Sequence, residues 1–206
     1  MKIENKKMNI LDEVSEAYER ELIRKITETK DKESFYHLVK LYDGKVFSVA
    51  YRILGNKDDA VEIAQDVFVK VYRKIGQYRG EAPFGSWIRK IAVNLSLNRI
   101  KTRKNDALNG ASTYIGSTSE NNDQETPESS FAANERQKAL MNAIMNVPED
   151  FRAAVVLKDI EGYKYEEIAR MLGVNMGTLK SRLSRGRLEL KKQLYGIKEE
   201  VTNDEM

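Results

Sequence analysis

The chain contains no cysteine, a single histidine and only three prolines among its 206 residues. Without cysteine it can form neither a disulfide framework nor a thiolate metal site, and it suits a reducing cytoplasm. So few prolines argue against a sheet-rich fold, whose turns use more proline and glycine. The apolar runs are too short to span a bilayer, and the first residues lack the pattern of a secretion signal. We therefore expect an all-α protein of the cytoplasm.

Recognisable catalytic motifs are also missing. The sequence has no serine-centred elbow, no glycine-rich phosphate loop and no cluster of metal ligands. We therefore expect no enzyme activity, no cofactor, no bound metal and no small-molecule substrate.

Charge is distributed unevenly along the chain. The net charge is only +3, but residues 105–134 hold acidic residues and no lysine or arginine. This segment is rich in serine, threonine and asparagine, and it has too few apolar residues to offset the entropy of ordering. It is predicted to be a flexible acidic linker; the alternative is a long loop within one domain. The predicted organisation is an extension (1–20), a helical domain (21–104), the linker, a second helical domain (135–195) and an acidic tail (196–206).

Apolar residues recur at helical spacing on both sides of the linker. In the first domain this predicts helices over 11–29, 35–53, 58–75 and 86–103, with Asp58 and Ser86 as N-caps. The predicted buried stripe of the third helix is Val61, Ala64, Phe68, Val71 and Ile75. In the second domain the pattern predicts helices over 135–147, 149–160, 165–172 and 176–195.

The last two predicted helices have the character of a helix-turn-helix. The small Ala169 permits a close helix crossing, Gly173 permits the tight turn, and Val174 fills the angle between the helices. The second helix is rich in cations and short hydroxyl side chains, which can contact phosphates and base edges. The alternative is an ordinary solvated basic helix end. The residues predicted to contact duplex DNA are Thr178, Lys180, Ser181, Arg182, Ser184, Arg185 and Arg187.

The first domain carries two further surfaces of opposite charge. The third helix has an acidic face, which repels DNA and is predicted to bind a protein. The alternative is an ordinary solvated face. The residues of this acidic face are Asp59, Glu62, Gln65, Asp66 and Val69. The fourth helix is basic between 89 and 104, and with the loop before it offers amides, cations and an aromatic ring to an unpaired strand. The residues predicted to contact that strand are Tyr78, Arg79, Lys90, Asn94, Asn98 and Lys101. Trp87 is predicted to anchor the core.

These motifs resemble, in order, those of the extracytoplasmic-function (ECF) group of the bacterial RNA polymerase sigma-70 family. Residues 58–68 are similar to the polymerase-binding helix, residues 78–80 and 87–94 to the downstream-promoter region, and residues 165–169 and 177–187 to the upstream-promoter helix-turn-helix. The resemblance covers nearly all of the chain from about Leu22 to Leu194 except the linker.

The resemblance implies a division of labour. The acidic helix would bind the clamp helices of the largest subunit of core RNA polymerase. Asn94, Asn98 and the Tyr78 loop would hold the melted strand and a flipped base of the minus-ten element, while the last helix would bind the duplex minus-thirty-five element. An anti-sigma protein, in some members anchored to the membrane, would hold the chain inactive. The competing hypotheses are a free-standing helix-turn-helix regulator and an adaptor that binds polymerase without selecting promoters.

Overall fold

The computed structural model describes the backbone of residues 2–108 and 131–203, and the side chains of residues 16–106 and 138–195. In these ranges the chain forms eight α-helices and no strand, which confirms the predicted all-α fold class. No helix among these residues combines the length and apolar character needed to cross a membrane. The helices are α1 (Lys2–Thr29), α2 (Lys32–Leu54), α3 (Lys57–Lys74), α4 (Phe84–Leu108), α5 (Phe131–Met145), α6 (Glu149–Val155), α7 (Tyr165–Leu172) and α8 (Met176–Asn203).

The first four helices pack together into what we call the first bundle. Helix α2 is its centre and contacts α1, α3 and α4. The side chain of Asp31 caps α2 by accepting a hydrogen bond from the Ser34 amide at 2.9 Å. The helix ends at Gly55, whose φ of +70° is a left-handed conformation that glycine adopts without strain.

Two details of α3 differ from the prediction. Its N-cap is Asn56, whose Oδ1 accepts from the Asp59 amide at 2.9 Å, and Asp58 lies inside the first turn. Val61 is not buried but 42% exposed, since α3 packs through Ala60, Ile63 and Val67 against its neighbours on two sides. The buried face of α3 is therefore wider than the predicted stripe and does not include Val61.

Helix α4 begins at Phe84, two residues before the predicted cap. The carbonyl of Pro83 accepts from the amides of Ser86 and Trp87 at 2.9 and 3.2 Å, so Pro83 directly precedes the first turn of the helix. Trp87 is half-buried against Tyr78 and Phe84, with ring centroids 5.6 and 5.5 Å away.

The last four helices form the second bundle, in which α8 packs against α5, α6 and α7. A π-helical segment, Val156–Ile160, continues α6, and together they match the predicted helix over 149–160. Gly173 ends α7 with a φ of +67°, as the predicted turn requires. Asn175 then caps α8 by accepting from the Thr178 amide at 2.8 Å.

The predicted linker lies mostly outside the described residues. Helix α4 continues to Leu108 and α5 starts at Phe131, so residues 109–130 are the part of it that is not described. The extension forms the first part of α1, and the acidic tail begins within α8, where its side chains lie outside the described residues.

Gly186 sets how closely α8 and α6 approach each other. A Cβ at this position would lie 2.7 Å from Val155 Cγ2 and 3.1 Å from the Phe151 carbonyl oxygen. We expect Gly186→Ala to lower the free energy of unfolding by about 1–3 kcal/mol, because the packed helices must move apart. Gly177→Ala is the control in the same helix, because its added Cβ would meet only Asn175 Oδ1, at 3.4 Å. Urea unfolding of both variants checks this; equal stability would contradict it.

Candidate protein and nucleic-acid interfaces

The acidic face predicted on α3 is for the most part accessible. Glu62, Gln65, Asp66 and Val69 are exposed, and Val69 is 50% exposed although it is apolar. These side chains lie along one side of the first bundle, where a partner could contact them together.

Asp59 belongs to a different environment from the other residues of that face. Its side chain is only 13% exposed, because its carboxylate pairs with Arg99 at 3.2 Å and also with Arg103. Arg99 in turn reaches Glu62 at 2.6 Å. Asp59 thus joins α3 to α4, and its carboxylate is already occupied by two guanidinium groups.

An apolar groove of about 970 Å³ lies beside the acidic face, between α2 and α3. Both Val61 and Val69 border it, at 42% and 50% exposure. Gln65 adds a polar group, and the charged lining residues are Lys32, Asp43 and Arg73. Exposed apolar side chains that line a groove are the kind of surface that a protein partner can cover. The remaining apolar lining residues are Phe35, Val39, Phe47, Ala64, Phe68 and Tyr72.

A second pocket, of about 520 Å³, surrounds the loop before α4. The hydroxyl of Tyr78 donates to the Ala82 carbonyl at 2.7 Å and its ring stands edge-on to Phe84 at 5.3 Å, which fixes the loop. Burial raises the pKa of the Tyr78 phenol, with a smaller contribution from the nearby Glu19 carboxylate. Arg79 and Lys90 are exposed at the edge of this pocket. The pocket therefore combines an anchored aromatic ring with cations.

The polar face predicted on α4 is present as one stripe. Lys90, Asn94, Asn98 and Lys101 are all exposed and recur at spacings of four and three residues. The Nζ of Lys101 donates to the Met171 carbonyl of the second bundle at 3.2 Å. The stripe continues from the pocket around Tyr78, so the structure brings together the residues predicted to bind an unpaired strand.

The predicted recognition helix is the first half of α8. Its core-facing Leu179 and Leu183 are fully covered, which leaves the polar positions on the outside. Thr178 and Arg182 are half-buried, and the exposed residues of the predicted set are Lys180, Ser181, Ser184, Arg185 and Arg187.

Two arginines of this helix already have acidic partners within the second bundle. Arg187 donates to both carboxylate oxygens of Asp159, at 2.9 and 2.6 Å, and these hydrogen bonds raise its pKa. Arg182 is 3.7 Å from Asp150. Within the described residues no ion pair engages Arg185, which leaves it as an exposed cation on the outer face.

The two bundles are in contact, although the sequence does not predict this. Helix α6 packs against α2, and α7 packs against α4. The buried Arg152 of α6 reaches the end of α2, and burial lowers its pKa. Glu161, which follows α6, is paired with Arg52 and Arg89 of the first bundle, each at 3.3 Å.

Comparison with known proteins identifies two family regions in the chain. Residues 38–105 match Sigma-70 region 2, and residues 137–190 match Sigma-70, region 4. These ranges coincide with most of the first and of the second bundle.

Several curated proteins that are similar to the chain are ECF sigma factors. The chain is 31% identical over 175 residues to the ECF RNA polymerase sigma factor SigW of Bacillus subtilis, covering 81% of this chain and 92% of that protein. It is 32% identical over 164 residues to the ECF RNA polymerase sigma-E factor of Haemophilus influenzae, covering 76% of this chain and 85% of that one. Among solved structures, the fold is similar to the sigma factor RpoE of Bartonella quintana, crystallised with the anti-sigma factor NepR. That match has a TM-score of 0.53 at 24% identity, and it covers 79% of this chain and 98% of the other.

Proposed function

Because the chain belongs to the sigma-70 family of RNA polymerase factors, in its ECF group, we propose that it binds core RNA polymerase and directs it to promoters with two spaced elements. The observation that carries the proposal is the presence on one chain of an apolar groove beside an acidic face and of two separate cation-bearing helices. A free-standing regulator needs no such groove. We infer that the chain acts in the cytoplasm by binding alone, without catalysing a reaction.

The polymerase contact is assigned to the groove between α2 and α3 and to the exposed acidic residues Glu62 and Asp66 of α3. The clamp helices of the polymerase would place apolar side chains in the groove and cations against Glu62 and Asp66. Val69 and Gln65 would take part in this contact, because both line the groove. Asp59 would act indirectly, by fixing α4 against α3, because its carboxylate is paired with two arginines of α4.

The minus-ten contact is assigned to α4 and the loop before it. An unpaired strand would run along the exposed stripe of Lys90, Asn94, Asn98 and Lys101. A base flipped out of that strand would enter the pocket beside Tyr78, with Arg79 near its phosphate. Binding the unpaired form favours melting, because it stabilises the open state relative to the duplex.

The minus-thirty-five contact is assigned to α8. Lys180, Ser181, Ser184 and Arg185 present donors on its outer face, where they can reach the major groove. Thr178, Arg182 and Arg187 would contact the adjacent backbone, the arginines after releasing Asp150 and Asp159.

Transcription in vitro tests the proposal as a whole. Core polymerase is incubated with fragmented genomic DNA with and without the protein, and transcript starts are mapped. Starts that require the protein and share two spaced upstream elements would support a sigma factor. No new starts, together with tight binding of the protein alone to duplex DNA, would support a free-standing regulator instead.

An anti-sigma protein is a further proposed partner. The similar fold of Bartonella quintana was crystallised with one, and this chain offers a groove suited to a protein segment. Affinity purification from unstressed cells should recover a second stable partner besides polymerase. Recovery of polymerase alone would count against it.

Arg185 is the residue of choice for testing the minus-thirty-five assignment. We expect Arg185→Ala to weaken upstream-element binding by about 1–3 kcal/mol if the guanidinium makes a bidentate base contact, and to spare polymerase binding. Arg20→Ala is the control, because it removes the same charge from an exposed site on α1 with 69% side-chain exposure. Footprinting of the polymerase complex with each variant checks this; equal losses for both would mean that only overall charge matters.

A further inference from the structure

We propose that Glu19 of α1 and Tyr42 of α2 are positioning residues for the pocket beside Tyr78, and that they determine how selectively this pocket binds a base. Both residues lie outside the lining of the pocket and outside the sites predicted from the sequence. Glu19 belongs to the segment 1–20, which the sequence predicts only as an extension. The inference deepens the proposed function and rests on it for the identity of the ligand, an unpaired base of the promoter strand.

A hydrogen bond joins α1 to the central helix of the first bundle. The hydroxyl of Tyr42 donates to the carboxylate of Glu19. Tyr42 is only 6% exposed, whereas Glu19 is half-buried. Burial raises the pKa of the Tyr42 phenol and the Glu19 carboxylate adds to the increase, so the hydroxyl stays protonated and remains a donor. A buried hydroxyl without an acceptor is costly, and its partner on α1 therefore helps to fix where the Tyr42 ring lies.

The ring of Tyr42 packs on the start of α4. It stands edge-on to Phe84, the first residue of that helix, with the ring centroids 5.4 Å apart. The next residue is a glycine, and a Cβ on Gly85 would lie 3.3 Å from Tyr42 Cε1. A side chain at position 85 would therefore press against the ring. Tyr42 thus fixes the point at which the loop before α4 joins the helix.

Phe84 connects Tyr42 to the pocket. It is fully buried, and its ring centroid lies 5.3 Å from that of Tyr78 and 5.5 Å from that of Trp87. Both of these rings line the pocket. Because a closely packed interior transmits small displacements, a shifted Tyr42 ring would shift Phe84 and, with it, the aromatic wall of the pocket. The path from Glu19 to the pocket is therefore a continuous series of contacts.

The effect is expected on binding of the base and not on binding of the strand's backbone. The cations and amides exposed along α4 would still contact phosphates and sugars, which need no aromatic wall. Stacking on a base, in contrast, depends on where the rings of Tyr78 and Trp87 lie. Loss of the Glu19 hydrogen bond should therefore reduce the preference for an intact base and leave most of the affinity for the backbone.

Trp87 is the single tryptophan of the chain, so its fluorescence reports directly on this aromatic cluster. In the full chain without polymerase or DNA, we expect Glu19→Ala to shift the emission to longer wavelength, because displaced rings would admit water to the indole. Glu19→Gln keeps an acceptor for the Tyr42 hydroxyl and should retain the emission of the unmodified protein. Glu16→Ala is the matched control, because it removes a carboxylate from the same helix at a site with 71% side-chain exposure.

Strand binding by the complex with core polymerase tests the consequence for selectivity. The probe is a single strand with the minus-ten sequence of the mapped promoters, compared with strands that carry one abasic nucleotide. In Glu19→Ala, the preference for the intact strand over the strand without the flipped base should fall about fivefold or more. Affinity for the abasic strand should change by less than about twofold. Glu19→Gln and Glu16→Ala should keep the full preference.

Three results would overturn the proposal. The first is unchanged Trp87 emission in Glu19→Ala, and the second is the same shift in Glu19→Gln or Glu16→Ala. The third is an equal loss of affinity for the intact and the abasic strands, which would indicate a general role in stability. Circular dichroism confirms that each variant keeps its helices. Because the fluorescence measurement involves no promoter and no polymerase, failure of the proposed function would leave it unaffected.

Discussion

Replacing Arg152 by methionine is expected to lower the free energy of unfolding by about 3 kcal/mol, because buried carbonyls would lose their donor. The residue is 8% exposed, and its guanidinium serves four carbonyls: those of Ile53 and Leu54 in the first bundle, and of Met145 and Val147 in the second. It therefore joins the ends of two helices, α2 and α5, to α6.

The size of the effect follows from two opposing contributions. Each carbonyl left without a donor costs about 1–3 kcal/mol, so four of them set a large upper bound. Removing the guanidinium also relieves the cost of burying a charge, which is visible in the lowered pKa of Arg152. The loss of the hydrogen bonds to the carbonyls is larger than the relieved cost of burial, because arginine remains protonated at neutral pH and delocalises its charge over several donors.

Urea unfolding at neutral pH measures the change, with Arg170→Met as control. Arg170 is exposed on α7, and among the described residues its side chain bonds only to the Glu166 carbonyl of its own helix, at 3.3 Å. Its loss should therefore alter stability by less than about 0.5 kcal/mol. A loss below about 1 kcal/mol in Arg152→Met would show that water replaces the guanidinium and that the attachment is weak.

The features that the sequence predicted well are those fixed by neighbours along the chain. The helix over 165–172 has the predicted bounds, because Gly173 ends it with a left-handed turn that few other residues adopt. The prediction of Asp58 as the N-cap of α3 is wrong, because the cap is Asn56, two residues earlier. Both are good N-cap residues, and the choice between them depends on which side chain reaches a free amide, which spacing alone does not determine.

One side of the groove has a signal in the sequence, and only Val61 of that signal is predicted on the wrong face of α3. Val61, Gln65, Val69 and Tyr72 follow one another at spacings of four, four and three, so they form one stripe of α3. Val61 was predicted to be buried because it also fits the core stripe, yet the neighbours of α3 leave it 42% exposed. Read together with Val69, it would have marked an exposed apolar face.

The contact between the bundles had no such signal. Arg152 and Glu161 are single charged residues without periodicity, and their partners lie about a hundred residues earlier in the chain. Only the fold shows that a buried arginine meets the end of α2. Contacts of this range depend on how whole helices pack, which local pattern does not encode.

Changing Val69 to aspartate is expected to weaken binding of core polymerase by about 30-fold or more, equivalent to about 2 kcal/mol. Val69 borders the groove and is 50% exposed, so a carboxylate there remains solvated in the free protein. In the complex the same carboxylate would be buried against apolar side chains without a partner, which costs binding energy without harming the fold. Titration of labelled core polymerase measures the affinity, and thermal unfolding shows that stability is unchanged.

The choice of Val69 rather than Asp59 decides whether the experiment can be interpreted. A lysine at position 59 would face Arg99 and Arg103, so loss of binding could reflect a displaced α4 instead of a lost contact. Tyr18→Asp is the better control, because it introduces the same charge at a residue of similar exposure, 45%, on α1. We expect this control to change affinity by less than about twofold, in line with the small effects of most surface positions. If both variants bind polymerase equally well, the groove is not the polymerase site and another surface of the chain must make that contact.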